Sequence, residues 1–186
     1  MKMIKVRLST SIRNLVATGI TMIALLGATA PASLHGRASD HTVVWITAPT
    51  LIKTSEATMT NEDKSFEPPG LIITAGSTVR FPNEDPFYHS IYSLSKSDPF
   101  DIGYYGTGPG KIVAFNTPGI VDIHCHIHVF MHATILVVDG PYAVAKSGRY
   151  EIANLPAGTY ALHFWNGGDK ITTRTITITG ATNVNV

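Results

Sequence analysis

One cysteine, Cys125, is present in 186 residues, so an internal disulfide framework is excluded and packing and hydrogen bonding must hold the fold together. In an oxidising compartment a lone thiol is buried, reactive or bound to something. Charge is also sparse, at 15% of residues. Four of the 14 Lys and Arg residues, and none of the 13 acidic ones, fall in the first 32 positions, which leaves the remainder with a formal net charge of −3. Nucleic acid is therefore not an expected partner. No carboxylate pair or nucleophile–base arrangement marks hydrolytic chemistry; Asp85, Asp98, Asp101 and Asp122 read as turn formers and solvated positions. Beyond residue 32 there is no helical periodicity, no long repeat and no low-complexity tract.

Residues 1–32 read as a secretory signal peptide. Lys2, Lys5, Arg7 and Arg13 precede an apolar run over 15–30, and Ala30-Pro31-Ala32 supplies small residues for cleavage after Ala32. A membrane anchor is the alternative, but Thr18, Thr21 and Gly27 interrupt the run, which is short of the about 20 strongly apolar residues of a span. The expectation is an exported chain, periplasmic in a bacterium, with no membrane span after removal of the signal. The rest suffices for one domain, or for a domain of about 100 residues with a small appendage.

What is present is β pattern. Residues 33–41 are small and polar and read as a flexible lead-in to a first strand over 43–48. Short runs rich in Val, Ile, Thr, Tyr and Phe then alternate with turn clusters such as Pro68-Pro69-Gly70, Pro82-Asn83-Glu84-Asp85-Pro86 and Pro118-Gly119. The expected fold class is all-β, a sandwich or barrel over residues 42–140. A second antiparallel β-region over 141–186 follows, with strict alternation over 170–179. Its roughly 45 residues are few for an independent sandwich, so it should pack on the first domain or share the strand 43–48 with it.

Chemistry concentrates in residues 119–140, GIVDIHCHIHVFMHATILVVDG. Alternation sets Val121, Ile123 and Cys125 on one face of a strand and Asp122 and His124 on the other, delivering the thiol of Cys125 inward at the strand's end. A second strand, 133–138, leaves the loop. Between them stand a thiolate, an imidazole (His128) and a thioether (Met131), donors that suit copper cycling between Cu(I) and Cu(II) when a second imidazole completes a trigonal plane. His89, opening the strand 90–94 after the turn 82–86, is the natural candidate. Beyond residue 32 only Met59 and Met131 are methionines, and one falls where an axial ligand belongs.

These residues carry a resemblance. The spacing Cys125-x-x-His128-x-x-Met131 is similar to the amicyanin-type ligand loop. The wider pattern resembles the plastocyanin/azurin-like cupredoxin family, including members named for methylamine utilisation: Phe81-Pro82-Asn83-Glu84-Asp85-Pro86-Phe87-Tyr88-His89, Tyr92-Ser93-Leu94-Ser95, Phe100-Asp101-Ile102-Gly103, then the loop. Leu155-Pro156-Ala157-Gly158-Thr159-Tyr160 resembles carboxypeptidase-regulatory or transthyretin-like β-domains. The resemblance implies a Greek-key β-sandwich, one copper ion held by His89, Cys125, His128 and Met131, and one-electron exchange with protein partners of the cytochrome or dehydrogenase/oxidase type rather than enzymatic turnover. Phe87, Ile127 and Phe130 would form the apolar surroundings. Two positions depart from the family pattern: Val129 stands where proline often follows the loop histidine, and Ser90 where asparagine often braces the loop, a task its hydroxyl can supply in part; Asn83 is a further candidate accessory residue.

His124, His126 and His132 crowd the same loop. A complete trinuclear copper centre is excluded, because outside the loop only His35, His41, His89 and His163 exist and no His-x-His pair occurs among them. His124 and His126 read as exposed side chains near the metal, part of a partner-docking or electron-exit surface, and three alternatives stay open: a second copper at His124 and His126 shared between subunits, as in a small copper enzyme; Zn(II) or Cu(II) held by His124, His126 and His128 along one strand face; and copper binding for delivery without redox work.

Overall fold

A computed structural model describes residues 31–186. The signal-peptide reading falls, but for its last two residues, outside the described residues. Regular structure is almost wholly β, without an α-helix among the described residues, and no helix there is long and apolar enough to cross a membrane. In chain order the strands are β1 (Ala32–Arg37), β2 (Val43–Ile46), β3 (Glu56–Thr58), β4 (Thr60–Glu62), β5 (Ser65–Glu67) and β6 (Gly70–Thr74). Next come β7 (Ser77–Asn83), β8 (His89–Ser93), β9 (Phe100–Tyr105), β10 (Gly108–Phe115), β11 (Gly119–Cys125) and β12 (His132–Val138). The last are β13 (Tyr142–Val144), β14 (Arg149–Leu155), β15 (Gly158–Trp165), β16 (Thr172–Ile178) and β17 (Ala181–Asn183).

Two sheets form the larger sandwich, β10-β7-β4-β5 with β3 also on β7, and β6-β12-β11-β8-β9. The chain changes sheet between β5 and β6, β6 and β7, β7 and β8, β9 and β10, and β10 and β11, a Greek-key course. Strand periodicity builds the core between them. Val79 and Phe81 on β7 and Phe115 on β10 meet Val121, Ile123 and Cys125 on β11 and Ala133, Ile135 and Val137 on β12. Each large side chain sealed there contributes about 1.5–3 kcal/mol of burial.

Residues 33–41, expected as a flexible lead-in, instead contain most of β1, paired antiparallel with β14 and parallel with β17. Ala32 and Leu34 turn inward and are buried. Only two apolar positions mark the alternation, so a polar composition concealed it. β1 completes a second sandwich made of β14-β1-β17 and β13-β2-β15-β16, with Leu34, Val44, Ile46, Ile152, Leu155 and Leu162 in its core. The boundary placed at residue 42 thus moves: β2 belongs to the second unit, which draws strands from both ends of the described chain, as a segment too short to close its own core requires.

A third apolar layer joins the units. Val43 and Trp45 on β2 pack against Leu136 and Val138 on β12, flanked by Ile72, Ile120 and Trp165. Both strands are therefore buried on both faces, which explains why they read as continuous apolar runs (Val43-Val44-Trp45-Ile46; Ile135-Leu136-Val137-Val138) rather than as alternation.

Candidate metal centre

β8 and β11 are antiparallel neighbours, with Cys125 opposite Ile91. His89, two residues from Ile91 and so on the same face, projects into the sandwich at the same end as Cys125. The loop after Cys125 folds back at once. The His126 N–H donates to Ser90 O at 3.0 Å, and the Met131 N–H donates to His128 O at 2.8 Å. His128 is thereby brought over the strand end and Met131 into the core that contains Cys125.

Nδ1 of His89 lies 3.7 Å and Nδ1 of His128 3.9 Å from Cys125 Sγ. The three donor atoms all fall within 4.8 Å of one another, and no other such group of three His, Cys, Asp or Glu forms among the described residues. A thiolate and an imidazole about 2.3 and 2.05 Å from one ion, at tetrahedral to trigonal angles, stand about 3.6–3.8 Å apart. The observed separations fit one shared ion, and the donor set of thiolate, two imidazoles and a nearby thioether suits a thiophilic transition metal. Cys125 and His89 are buried, while His128 keeps partial access to solvent.

His89 is held from behind. Its Nε2 pairs with Oδ2 of Asp85 at 2.8 Å, leaving Nδ1 free to face the thiol. Asp85 also accepts the backbone N–H groups of Asp63 (2.9 Å) and Lys64 (3.0 Å) at the β4–β5 turn. Both turn residues have positive φ, 52° and 57°, which aims two successive N–H groups at one carboxylate. Burial pushes Asp85 up, but hydrogen bonds from Lys64, His89 and Asp63 and the charge of His89 outweigh it and hold the carboxyl below its ordinary value. Asn83 shapes the same turn, accepting the Asp85 N–H at 3.0 Å and donating to Phe87 O at 2.8 Å. Asp85, which by sequence reads as a turn former, thus braces His89, and its position four residues before that histidine is the signal available. His128 is shifted down, first by lost hydration and then by the charges of His89 and Lys64, against the pull of Asp85, which favours the neutral imidazole with a free lone pair.

Several expectations require correction. Among the described residues the hydroxyl of Ser90 finds no partner; the brace comes from its backbone carbonyl. Phe87 packs on both imidazoles, its centroid 5.5 and 5.4 Å from those of His89 and His128, and the ring of Phe130, though exposed, lies 6.0 Å from that of His128, whereas Ile127 and Val129 are exposed on the outside of the loop. The three histidines of the proposed strand-face zinc site separate, because β11 stops at Cys125 and His128 turns inward. His126 points outward, its ring stacked on Tyr92 at 3.8 Å between centroids and paired with Asp101 at 3.2 Å. His124 and His132 lie on the outer face of their strands.

No family model and no curated protein matches this chain. Solved structures that it resembles include a copper-containing nitrite reductase from Thermus scotoductus SA-01, with 28% identity over 47% of this chain and 23% of that one and a TM-score of 0.43. A purple cupredoxin from Nitrosopumilus maritimus shows 22% identity over 44% and 99% of the two chains, with a TM-score of 0.40. Amicyanin from Paracoccus versutus shows 22% identity over 53% and 99%, with a TM-score of 0.42. The aligned part thus spans under a quarter of the nitrite reductase and nearly all of the two cupredoxins.

Proposed function

We propose that this chain is an exported mononuclear type 1 copper protein that carries one electron between protein partners. The observation that carries the reading is the buried thiol of Cys125 with two imidazole Nδ1 atoms at 3.7 and 3.9 Å. His89, Cys125 and His128 would hold the ion, with the thioether of Met131 as a further donor. Bound there, copper supplies a Cu(I)/Cu(II) couple. The protein's part is to keep its donors still. Asp85 fixes one imidazole, the Ser90 carbonyl and the His128–Met131 turn fix the loop, and two sheets clamp the strand that ends in Cys125. Little then has to reorganise when the charge changes.

His128 is the donor nearest solvent, and exposed Ile127, Val129 and Phe130 surround it with an apolar rim. A cytochrome or a dehydrogenase/oxidase-type protein docking there would bring its redox centre towards His128.

Metal analysis with a visible spectrum tests the reading. The secreted protein is expected to hold one copper–thiolate centre per chain, read as an intense visible band. Cys125→Ser should lose the colour and keep the fold, as read by far-UV circular dichroism. A colourless protein, or copper clearly above one per chain accompanied by nitrite-reducing or oxidase activity, refutes it. Sequencing the N-terminus of periplasmic material tests export, with Ser33 expected first; β1 survives that cut because its pairing with β14 continues from Leu34 to Arg37.

A further inference from the structure

The outer face of the sheet β6-β12-β11-β8-β9 changes character rung by rung between β11 and β12. Ile120 opposite Leu136 belongs to the apolar layer shared with the second unit. Asp122 stands opposite Thr134, and the last rung before the loop is His124 opposite His132. Residues directly opposite on antiparallel strands hold their Cβ atoms about 4.5–5.5 Å apart, within range for two imidazoles to share one ion by side-chain rotation alone.

These two histidines are also unengaged. His89 pairs with Asp85, His126 with Asp101, and His163 with the hydroxyls of Thr47 and Thr173. No hydrogen bond to the ring of His124 or His132 forms among the described residues. His132 is exposed and His124 half-buried, with one flank covered by Tyr92 at 5.5 Å between ring centroids. Two free imidazoles on a rigid two-strand platform cost little to arrange, since the backbone is already ordered.

We propose that His124 and His132 form a second site, for an exchangeable borderline divalent cation, Zn(II) or Cu(II). Imidazole nitrogen suits these ions. Asp122, two residues back on the same face and exposed, is the available carboxylate, and water fills the remaining positions. The site is separate from the buried cluster but adjoins it along both strands: His124 precedes Cys125 on β11, and Met131 precedes His132 at the start of β12. It pairs His124 across the ladder rather than with His126.

Calorimetric titration of the full chain with ZnSO4 tests this, because Zn(II) needs no redox chemistry and the outcome is independent of the carrier reading. The intact protein is expected to take up two equivalents, one in the buried cluster and one at the rung. His132→Ala, at an exposed position that leaves the fold intact, and His124→Ala should each remove one equivalent. His126→Ala should remove none, and Cys125→Ser should weaken only the buried equivalent. Ring signals of His124 and His132 should shift together in nitrogen NMR during the titration. Unchanged stoichiometry in His132→Ala, or an equal loss in His126→Ala, overturns the proposal.

Discussion

Removing the carboxylate of Asp85 should damage the fold and the metal centre together, because one buried group serves both. Asp85 is 5% exposed and accepts three hydrogen bonds, from His89 Nε2 and from the N–H groups of Asp63 and Lys64. In Asp85→Ala the buried Nε2–H of His89 loses its acceptor, a cost of about 1–3 kcal/mol, while the two turn N–H groups, on exposed residues, can recruit water. Adding their lost charge-assisted bonds puts the destabilisation at about 3–5 kcal/mol, the range for breaking one side of a buried pair. Asp85→Asn keeps an acceptor oxygen but turns amide protons towards donors, so about 1–3 kcal/mol is expected. Metal affinity of the His89–Cys125–His128 cluster should fall by about 10–100-fold, the usual effect of deleting a group that orients a ligating imidazole. Urea unfolding with an unchanged m-value reads the first effect and competition titration with a chelator the second. Asp98→Ala is the control: that carboxylate also accepts two backbone N–H groups, from Asn116 and Thr117, but touches no donor of the cluster, so its affinity should stay at the wild-type value. Asp85→Ala with wild-type affinity, or stability within about 0.5 kcal/mol of wild type, refutes the argument, since substitutions that touch nothing important fall in that band.

Gly140 sits where the chain passes from one unit to the other, and a Cβ there would lie 1.8 Å from Ile46 O and 2.8 Å from Ala48 N, so Gly140→Ala must displace β2. Its loss in thermal unfolding should exceed the about 1 kcal/mol typical of point mutants, and a smaller loss removes the close approach as a constraint. Tyr150 donates to Val184 O at 2.7 Å, and burial pushes its hydroxyl up to about 12. Tyr150→Phe should cost about 0.5–1.5 kcal/mol and speed amide exchange over residues 181–186. Burial holds His163 below its ordinary pKa, against the pull of Asp139. The unfolded chain therefore takes up this proton first, so the stability it contributes is complete above the unfolded pKa of about 6.5 and is lost as pH falls through the lowered folded value. His163→Gln should flatten unfolding free energy between pH 7.5 and 5, and an unchanged slope argues against the assignment.

The residues that meet at the candidate centre were legible because their signals are local. Alternation from Val121 to Cys125 fixes which way the thiol points, and the loop is too short to carry His128 and Met131 elsewhere. His89 was legible as a turn-following strand opener. Asp85 was not legible in that role, because its function depends on two backbone N–H groups more than 20 residues away, in a turn whose positive φ angles leave no distinctive residue type in Asp63-Lys64. The failure at β1 has a different cause. Ser33-Leu34-His35-Gly36-Arg37 has a linker's composition, and only Leu34 reaches the core between the sheets of the second unit. Gly36 is required there because Val184 O approaches to within 1.8 Å of where a Cβ would sit, so a residue that looks like flexibility marks close backbone contact.

The doubly buried strands connect these points. β12 leaves the metal loop at His132 and sends Ala133, Ile135 and Val137 into the core that holds Cys125, while Leu136 and Val138 face Val43 and Trp45 of the second unit. Trp45 is itself pinned, its Nε1–H donating to Asp139 at 3.1 Å and its ring stacked on His163 at 5.0 Å. The exit strand of the loop is thus clamped from two sides by different parts of the chain, whereas β8, which carries His89, lies next to the sheet edge, with only β9 beyond it. Rigidity at the two ends of the cluster therefore has separate origins. On the Met131 side it comes from interlayer packing by the second unit. On the His89 side it comes from the Asp85 hydrogen bonds. A single sandwich would leave Leu136, Val138 and Ile120 as an apolar stripe facing water, so the second unit covers surface that the first cannot bury and, by doing so, fixes the strand on which the loop closes.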